Sequence, residues 1–204
     1  PKDFTPDIVD VMAEISSVIC PSINLPIQSG SDRMLRMMNR GYTLDQYRRA
    51  VEGIRNRLPG AGLTTDLIVG HPGETECDFE ASLRALEEFR FDLVHTAAYS
   101  PREGTAAARR EDQIPREVKM ARLREVNALQ SKIAGEINAS LEGAVLSVLL
   151  DDLAPKGEGL LQGRTPSDKV TLVEAGPEML GRTVPVKIAR GESWCLYGDI
   201  AGRP

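Results

Sequence analysis

The sequence predicts an α/β domain of parallel strand–helix units followed by a small all-β domain, and two observations carry this prediction. Up to Gly143, strand-like apolar runs alternate with helical stripes at intervals of roughly 30 to 40 residues, as in barrels and doubly wound folds. After Gly143, short strand-like runs are separated by Gly, Pro and Asp, without helical stripes. We therefore assign the two domains to residues 1–141 and 142–204.

Capping residues and apolar repeats predict the helices of the first domain. Thr5-Pro6 begins a helix with an expected end near Ile19. Its apolar residues at helical spacing are Ile8, Val11, Ile15 and Val18. Capping boxes at Thr43 and Thr75 begin two further helices, and a long helix extends from Pro115 towards Gly143.

The strands are predicted from alternating apolar residues. "SINLPIQ", "LTTDLIV" and "DLVHTAAY" predict three parallel strands, too few to close a barrel, so we expect a preceding part of the sheet to be missing. The second domain has five strand candidates, which predict a closed barrel because closure removes exposed edges. They are "AVLSVLLDD", "LLQGRT", "KVTLVE", "TVPVKIA" and "SWCLYGD".

The composition indicates a soluble, cytoplasmic protein. No apolar run is long enough to span a membrane, and the N-terminal residues do not follow the pattern of a secretory signal. Cys20, Cys77 and Cys195 are far apart, so we expect reduced, separately buried thiols rather than disulfides or a local metal motif. The net charge of −5 gives no overall sign of a nucleic-acid-binding protein, although arginines cluster between residues 33 and 57.

A candidate ligand site lies at the carboxyl ends of the parallel strands, where such folds bind ligands. Strand alternation directs Asp66 away from the helix layer, to the same side as Gln28. "QSGSD" and "GHPGET" form the adjoining loops, in which Gly30 permits close approach and positive φ, and Ser31 and Thr75 supply helix N-caps. Together these residues favour a binding site.

The remaining polar residues near these loops do not indicate a reaction by themselves. His71 and His95 have no partner at metal-ligand spacing, so we expect structural roles. Glu74 and Asp78 are interpreted as acids of a first helical turn, and Trp194 as a core residue of the small barrel. A barrel hydrolase or aldolase would need a catalytic Lys, His pair or acid pair, which the sequence does not place.

Six segments resemble the radical S-adenosylmethionine (SAM) methylthiotransferases, in particular the MiaB type that acts on isopentenylated adenosine in tRNA. They are "LPIQSGSDRMLRMMNRGYT", "LTTDLIVGHPGETECDF", "YSPREGTAAA", "DQIPREVKMARLREVNALQ", "GRTPSDKV" and "SWCLYGD". The resemblance covers essentially the whole chain. It implies the C-terminal part of a radical SAM (β/α) partial barrel, followed by a TRAM domain, a small OB-like all-β barrel that binds RNA.

The family's activity is methylthiolation at C2 of N6-isopentenyladenosine beside the anticodon. The resemblance implies S-adenosylmethionine and two 4Fe-4S clusters as cofactors, the tRNA anticodon stem–loop as substrate, and an electron donor such as flavodoxin or ferredoxin. We expect a monomer with no membrane partner. The radical chemistry needs a C-x3-C-x2-C triplet, whose three thiolates leave one iron open to S-adenosylmethionine. These residues lack the triplet, so we expect a catalytically inactive fragment whose clusters are bound by a missing N-terminal portion.

The resemblance also implies roles for individual residues. Gln28 and Ser29 would meet the ribose or methionyl part of S-adenosylmethionine, and Arg40 would contact an anionic group. The residues implied for the pocket are Gln28, Ser29, Arg40, Asp66, Tyr99 and Pro101. Those implied for RNA backbone contacts are Arg164, Lys169, Arg182 and Lys187. His71 stands where the family usually has Phe, which puts an apolar packing role there in doubt.

Two alternatives remain open at this point. One is a paralogous methylthiotransferase that acts on threonylcarbamoyl-adenosine in tRNA, which "YSPREGT" would also suit. The other is a standalone tRNA- or RNA-binding module built from the TRAM domain and an incomplete barrel.

Overall fold

A computed structural model describes residues 1–154 and 159–202. The helices are α1 (Pro6–Glu14), α2 (Asp32–Met37), α3 (Leu44–Arg57), α4 (Glu76–Phe89) and α5 (Arg116–Ala139). The strands are β1 (Ser22–Asn24), β2 (Gly62–Val69), β3 (Leu93–Ala98), β4 (Val145–Leu153), β5 (Leu160–Arg164), β6 (Val170–Glu174), β7 (Thr183–Gly191) and β8 (Leu196–Ile200). The predicted boundary at 141/142 lies in the segment between α5 and β4.

β1, β2 and β3 form a parallel three-stranded sheet with β2 in the centre, as the sequence predicts. The β2 alternation is also confirmed, because Leu63, Thr65, Leu67 and Val69 are buried towards the helices. Pro26 has no N–H to donate to the sheet. The hydroxyl of Thr65 continues the pairing there, donating to Leu25 O at 2.8 Å and accepting from the Ile27 N–H at 2.8 Å.

Both predicted capping boxes are present, at the starts of α3 and α4. The prediction for α1 is wrong in two respects: the helix ends at Glu14 rather than near Ile19, and its expected apolar stripe faces outward. The exposed fractions are 38% for Ile8, 52% for Val11, 42% for Ile15 and 79% for Val18. Val9 is the buried residue of this helix, so spacing alone identified the wrong face. The predicted helix N-cap at Ser31 is confirmed, because its side chain accepts from the Met34 N–H at the start of the six-residue α2.

The second domain is a closed five-stranded barrel in the order β4-β5-β6-β8-β7, which confirms the predicted architecture. All neighbouring strands are antiparallel except β6 and β8. Alternating residues such as Val148, Val173 and Val186 fill its interior. The long helix predicted from Pro115 towards Gly143 ends at Ala139, and Leu141 beyond it packs against this core.

Polar contacts join the barrel to the end of the first domain at which β2 and β3 begin. Lys169 forms an ion pair with Asp92, and its Nζ donates to Asn138 Oδ1 at 2.9 Å. Asn138 Nδ2 in turn donates to Glu192 O at 2.6 Å. Gly62 permits this close approach, because a Cβ there would lie 2.3 Å from Ser167 O. The opposite end of the sheet stays open.

Candidate functional site

The loop after β1 adopts an unusual backbone conformation at Gln28. Its φ of 64° lies in the left-handed region, which few residues other than glycine adopt. The Gln28 N–H donates to Asp66 O at 2.8 Å, and its carbonyl accepts from the Ile68 N–H at 3.1 Å. β2 therefore bonds both the N–H and the carbonyl group of Gln28. The expected positive φ at Gly30 is wrong; glycine is needed there because a Cβ would lie 2.3 Å from Ala81 O.

Asp78 ties the loops after β1 and β2 together. Its carboxylate pairs with Arg33 and accepts from the Ser31 hydroxyl at 2.6 Å and the Thr75 N–H at 2.9 Å. Arg33 also donates to Gly73 O at 2.6 Å. Burial opposes ionisation, but the hydrogen bonds from Arg33, Ser31 and Thr75 outweigh it and lower the pKa of Asp78. Asp78 is thus more than the first-turn acid that the sequence suggested.

A second buried carboxylate, Glu74, anchors α5 beneath the site. Glu74 precedes α4 rather than lying in its first turn, so that part of the prediction is wrong. Its Oε2 lies 2.6 Å from Arg122 Nη1 and accepts from the Gly70 N–H at 2.7 Å. Burial raises the pKa of Glu74, and the contacts with Gly70 and Arg122 oppose that shift. Sequence reasoning missed this pair because its partners are 48 residues apart.

An open cleft of about 480 Å³ lies at the carboxyl ends of the three strands. Its lining includes Gln28 and Arg40 on the β1 side, Ile68 in the centre, and Tyr99 and Arg102 on the β3 side. The other lining residues are Ala97, Ala98, Ser100, Thr105 and Ala107. The lining contains two guanidinium groups and no carboxylate. Such a cleft is suited to an uncharged or anionic ligand.

Lys119 and His71 contact Tyr99, whose hydroxyl has no hydrogen-bond partner within the described residues. Lys119 Nζ donates to Tyr99 O at 3.0 Å and lies 5.1 Å from the ring centroid. His71 packs against the same ring and is 6% exposed, so it takes the apolar packing role that the sequence put in doubt. Within the described residues, the buried hydroxyl of Tyr99 has no hydrogen-bond partner. This orphaned group beside the cleft fits a polar ligand.

The structure brings together Gln28, Arg40 and Tyr99 of the six residues implied for the pocket. Ser29 is fully buried, with its Oγ 3.4 Å from Ser82 Oγ, and presents no surface to the cleft. Asp66 lies on the same face of β2 as Ile68, two residues further from the carboxyl end of the strand. Pro101 is exposed at the edge of the cleft. Arg102, which sequence reasoning did not select, lines the cleft. Its position in the loop after β3 was the available signal.

The residues implied for RNA contact do not form a single group. Arg182 and Lys187 are exposed, and within the described residues neither side chain forms an ion pair or a hydrogen bond. Arg164 is exposed but pairs with Asp168 at 2.7 Å. Lys169 differs, because its side chain is only 12% exposed and its ammonium group joins the two domains through Asp92. The structure thus gives Lys169 a role in domain contact.

Trp194 corrects another expectation. The predicted core role is wrong, because the residue is 58% exposed. Its neighbour Leu196 is fully buried and fills the barrel core instead. Trp194 lines a small pocket of about 190 Å³ at the domain junction, together with Arg164 and Lys169.

The residues present do not fit an iron–sulfur cluster. All three cysteines are free, but Cys20 and Cys77 are exposed, which corrects the expectation of buried thiols. Across residues 1–154 and 159–202, no group of three His, Cys, Asp or Glu side chains could hold a metal ion. Among the helices of the same ranges, none is both long and apolar enough to cross a membrane.

Comparison with known proteins defines the class of each domain. Residues 1–86 match the Radical SAM superfamily, and residues 139–201 match the TRAM domain. Coproporphyrinogen III oxidase (HemN) from Escherichia coli, described as a radical SAM enzyme, has a similar fold, with a TM-score of 0.57 at 18% identity. The alignment covers 91% of this chain and 42% of that one. The chain thus combines radical SAM and TRAM domains.

The similarity to curated proteins extends over both domains. The chain is 44% identical over 200 residues to tRNA-2-methylthio-N(6)-dimethylallyladenosine synthase of Dictyoglomus thermophilum, covering 98% of this chain and 45% of the relative. It is 41% identical over 198 residues to the protein of the same name from Carboxydothermus hydrogenoformans, covering 97% and 45%. The chain is thus similar over nearly its whole length to proteins named tRNA-2-methylthio-N(6)-dimethylallyladenosine synthase, and it spans less than half the length of these relatives.

Proposed function

We propose that the protein to which this chain belongs adds a methylthio group to C2 of N6-isopentenyladenosine beside the anticodon of tRNA. The observation that carries this proposal is the similarity of about 40% identity across both domains to proteins named for that product. The open cleft at the strand ends and the attached barrel are consistent with it. A cytoplasmic location follows from the proposed tRNA substrate.

In this proposal the cleft takes S-adenosylmethionine, which supplies a carbon radical when it is reduced. Gln28 is fixed by two backbone hydrogen bonds to β2, so its side chain is positioned in advance for a polar group of the ligand. The unsatisfied hydroxyl of Tyr99 provides a second polar contact. Asp66 contributes to the cofactor pocket from its floor, and Pro101 contributes from its rim. Ser29 instead supports the loop after β1 through its contact with Ser82.

The described residues do not form the cluster sites of this chemistry, and we propose that both 4Fe-4S clusters are bound by other parts of the protein. The present residues would form one wall of the cofactor pocket. An electron donor such as flavodoxin or ferredoxin, and a monomeric state, remain predictions of the same proposal.

The barrel contributes RNA binding through its exposed cations. The exposed cations Arg182, Lys187 and Arg164, the last paired with the exposed Asp168, are available for phosphate contacts, which position an RNA without reading its sequence. Lys169 is excluded from this group by its ion pair with Asp92.

Nucleoside mass spectrometry of tRNA from a deletion strain tests the proposal. The strain should lose methylthio-isopentenyladenosine and accumulate isopentenyladenosine. Loss of the methylthio group from threonylcarbamoyl-adenosine alone would support the paralogous activity instead. Unchanged nucleosides, together with salt-dependent tRNA binding by this chain, would favour a standalone binding module.

A further inference from the structure

The cleft carries two arginines that form no ion pair with the described residues. Most of the chain's arginines pair with a carboxylate or donate to a carbonyl, as Arg48 does to Glu88 and Arg55 to Phe89. Within residues 1–154 and 159–202, the side chains of Arg40 and Arg102 make no such contact. Both line the cleft, and both are exposed. Two unpaired cations beside one cleft need a physical reason.

Short hydrogen-bonded turns fix the backbone from which each arginine extends. The Arg40 N–H donates to Leu35 O at 2.8 Å, just after Asn39 in the left-handed region at a φ of 54°. The carbonyl of Arg102 accepts from the hydroxyl of Thr105 at 2.7 Å. The two side chains therefore start from defined positions, which lowers the entropy lost when a ligand binds.

The two arginines come from opposite sides of the sheet. Arg40 follows α2, on the side of β1, and Arg102 follows β3, with β2 between these strands. The uncharged side chains of Ile68 and Ala97 lie between them in the lining. The cleft thus has a positive group on each side of a neutral centre.

This arrangement matches one nucleotide of an RNA chain. A nucleotide whose base turns into a cleft carries a phosphodiester on its 5′ side and another on its 3′ side. Guanidinium groups bind phosphates through paired hydrogen bonds, which suits an arginine on each side. We propose that Arg40 and Arg102 bind the two phosphodiesters that flank the target adenosine. This inference rests on the proposed function and specifies how its substrate enters the cleft.

The test measures binding of a synthetic anticodon stem–loop hairpin to the chain and to Arg40→Ala, Arg102→Ala and the double variant. Arg84→Ala is the matched control, because Arg84 is an exposed arginine on α4 whose only ion pair among the described residues is with Glu80, at 3.6 Å. Each cleft variant should weaken binding about tenfold and reduce the salt slope by about one, whereas the control should change neither. Thermal unfolding of each variant verifies the fold.

A second hairpin locates the contacts. It carries uncharged methylphosphonates at the two linkages beside the adenosine. The chain should bind this hairpin as weakly as the double variant binds the unmodified one, and the double variant should lose nothing further. Hairpin binding by the chain with no effect of either cleft substitution would overturn the inference while leaving the proposed function intact. Absence of hairpin binding by the unsubstituted chain would overturn the inference, whereas the proposed function is tested separately by the nucleosides of the deletion strain.

Titration with S-adenosylmethionine tests whether the two arginines bind the carboxylate of the cofactor instead of the phosphates of the RNA. The affinity of the cofactor should be the same for the chain and both single variants. Weaker cofactor binding with unchanged hairpin binding would overturn the inference and assign the two arginines to the cofactor.

Discussion

The ring of His71 lies edge-on against the ring of Tyr99, with the centroids 5.1 Å apart and an angle of 66° between the ring planes. Tyr99 lines the cleft, whereas His71 is buried beneath it in the loop after β2. Burial lowers the pKa of His71, so the imidazole is neutral and packs as an aromatic ring. This contact joins the "GHPGET" loop to the end of β3.

Substitution of His71 tests this packing role. His71→Phe keeps an aromatic ring and should change the free energy of unfolding by less than about 1.5 kcal/mol. His71→Ala leaves a void under Tyr99 and should cost about 2 kcal/mol or more, with weaker binding of S-adenosylmethionine. Urea denaturation and cofactor titration measure the two effects. Equal behaviour of the Phe and Ala variants would show that the ring contact is unimportant.

Because the pKa of Asp78 is lowered in the folded state, the free energy of unfolding should depend on pH in the acid range. The folded-state pKa of Asp78 lies below the unfolded value of about 3.9, so its contribution is present above that value and is lost as the pH falls through the folded-state pKa. Asp78→Asn should cost about 2 kcal/mol at pH 7, and its deficit should shrink as the pH falls below about 4. Urea unfolding at several pH values measures this.

The matched control for Asp78 is Asp45→Asn, because Asp45 is an exposed acid whose partners are Arg48 and Arg49 on the same helix. That substitution should cost less than about 1 kcal/mol at any pH. A deficit of Asp78→Asn that did not vary with pH would mean that ionisation of Asp78 is not what ties the loops together.

Lys169 and Asp92 should be coupled energetically, since their ion pair joins the two domains. A double-mutant cycle with Lys169→Met and Asp92→Asn should give a coupling of about 1 to 2 kcal/mol in the free energy of unfolding. The exposed pair Arg164 and Asp168 serves as control and should give about 0.5 kcal/mol. If the couplings were equal, the contact would not hold the domains together.

Substitutions of Trp194 and of Leu196 should change the free energy of unfolding by very different amounts. Trp194→Phe should change the free energy of unfolding by less than about 0.5 kcal/mol, because the indole is mostly exposed. Leu196→Ala should cost about 2 to 5 kcal/mol, because Leu196 is fully buried in the barrel core. Thermal or urea unfolding of both variants compares them. A larger loss for Trp194→Phe than for Leu196→Ala would place the indole in the core.

The elements with strong local signals were predictable from sequence. Capping boxes at Thr43 and Thr75 and the alternation along β2 depend on neighbouring residues, and all three are as expected. The barrel was also predictable, because turn residues divide its five strands. The face of α1 was not, because two helical faces offered apolar residues and only tertiary packing selects Val9.

The site was predictable in location but not in its connections. Strand polarity placed the cleft at the carboxyl ends, and Gln28 lines it as expected. Long-range partners such as Glu74 with Arg122 and Lys169 with Asp92 leave no local pattern, because the fold alone brings them together. The exposure of Trp194 was missed for the same reason, since composition alone favours a core position for a lone tryptophan.

The most direct test of the cleft as a methylthiotransferase site is the nucleoside content of tRNA in a deletion strain complemented with the complete gene. Complementation with the unchanged gene or with Arg84→Ala should restore methylthio-isopentenyladenosine. Gln28→Ala should leave isopentenyladenosine without the methylthio group, at an equal level of protein. Full modification in the Gln28→Ala strain would contradict a functional role for this cleft.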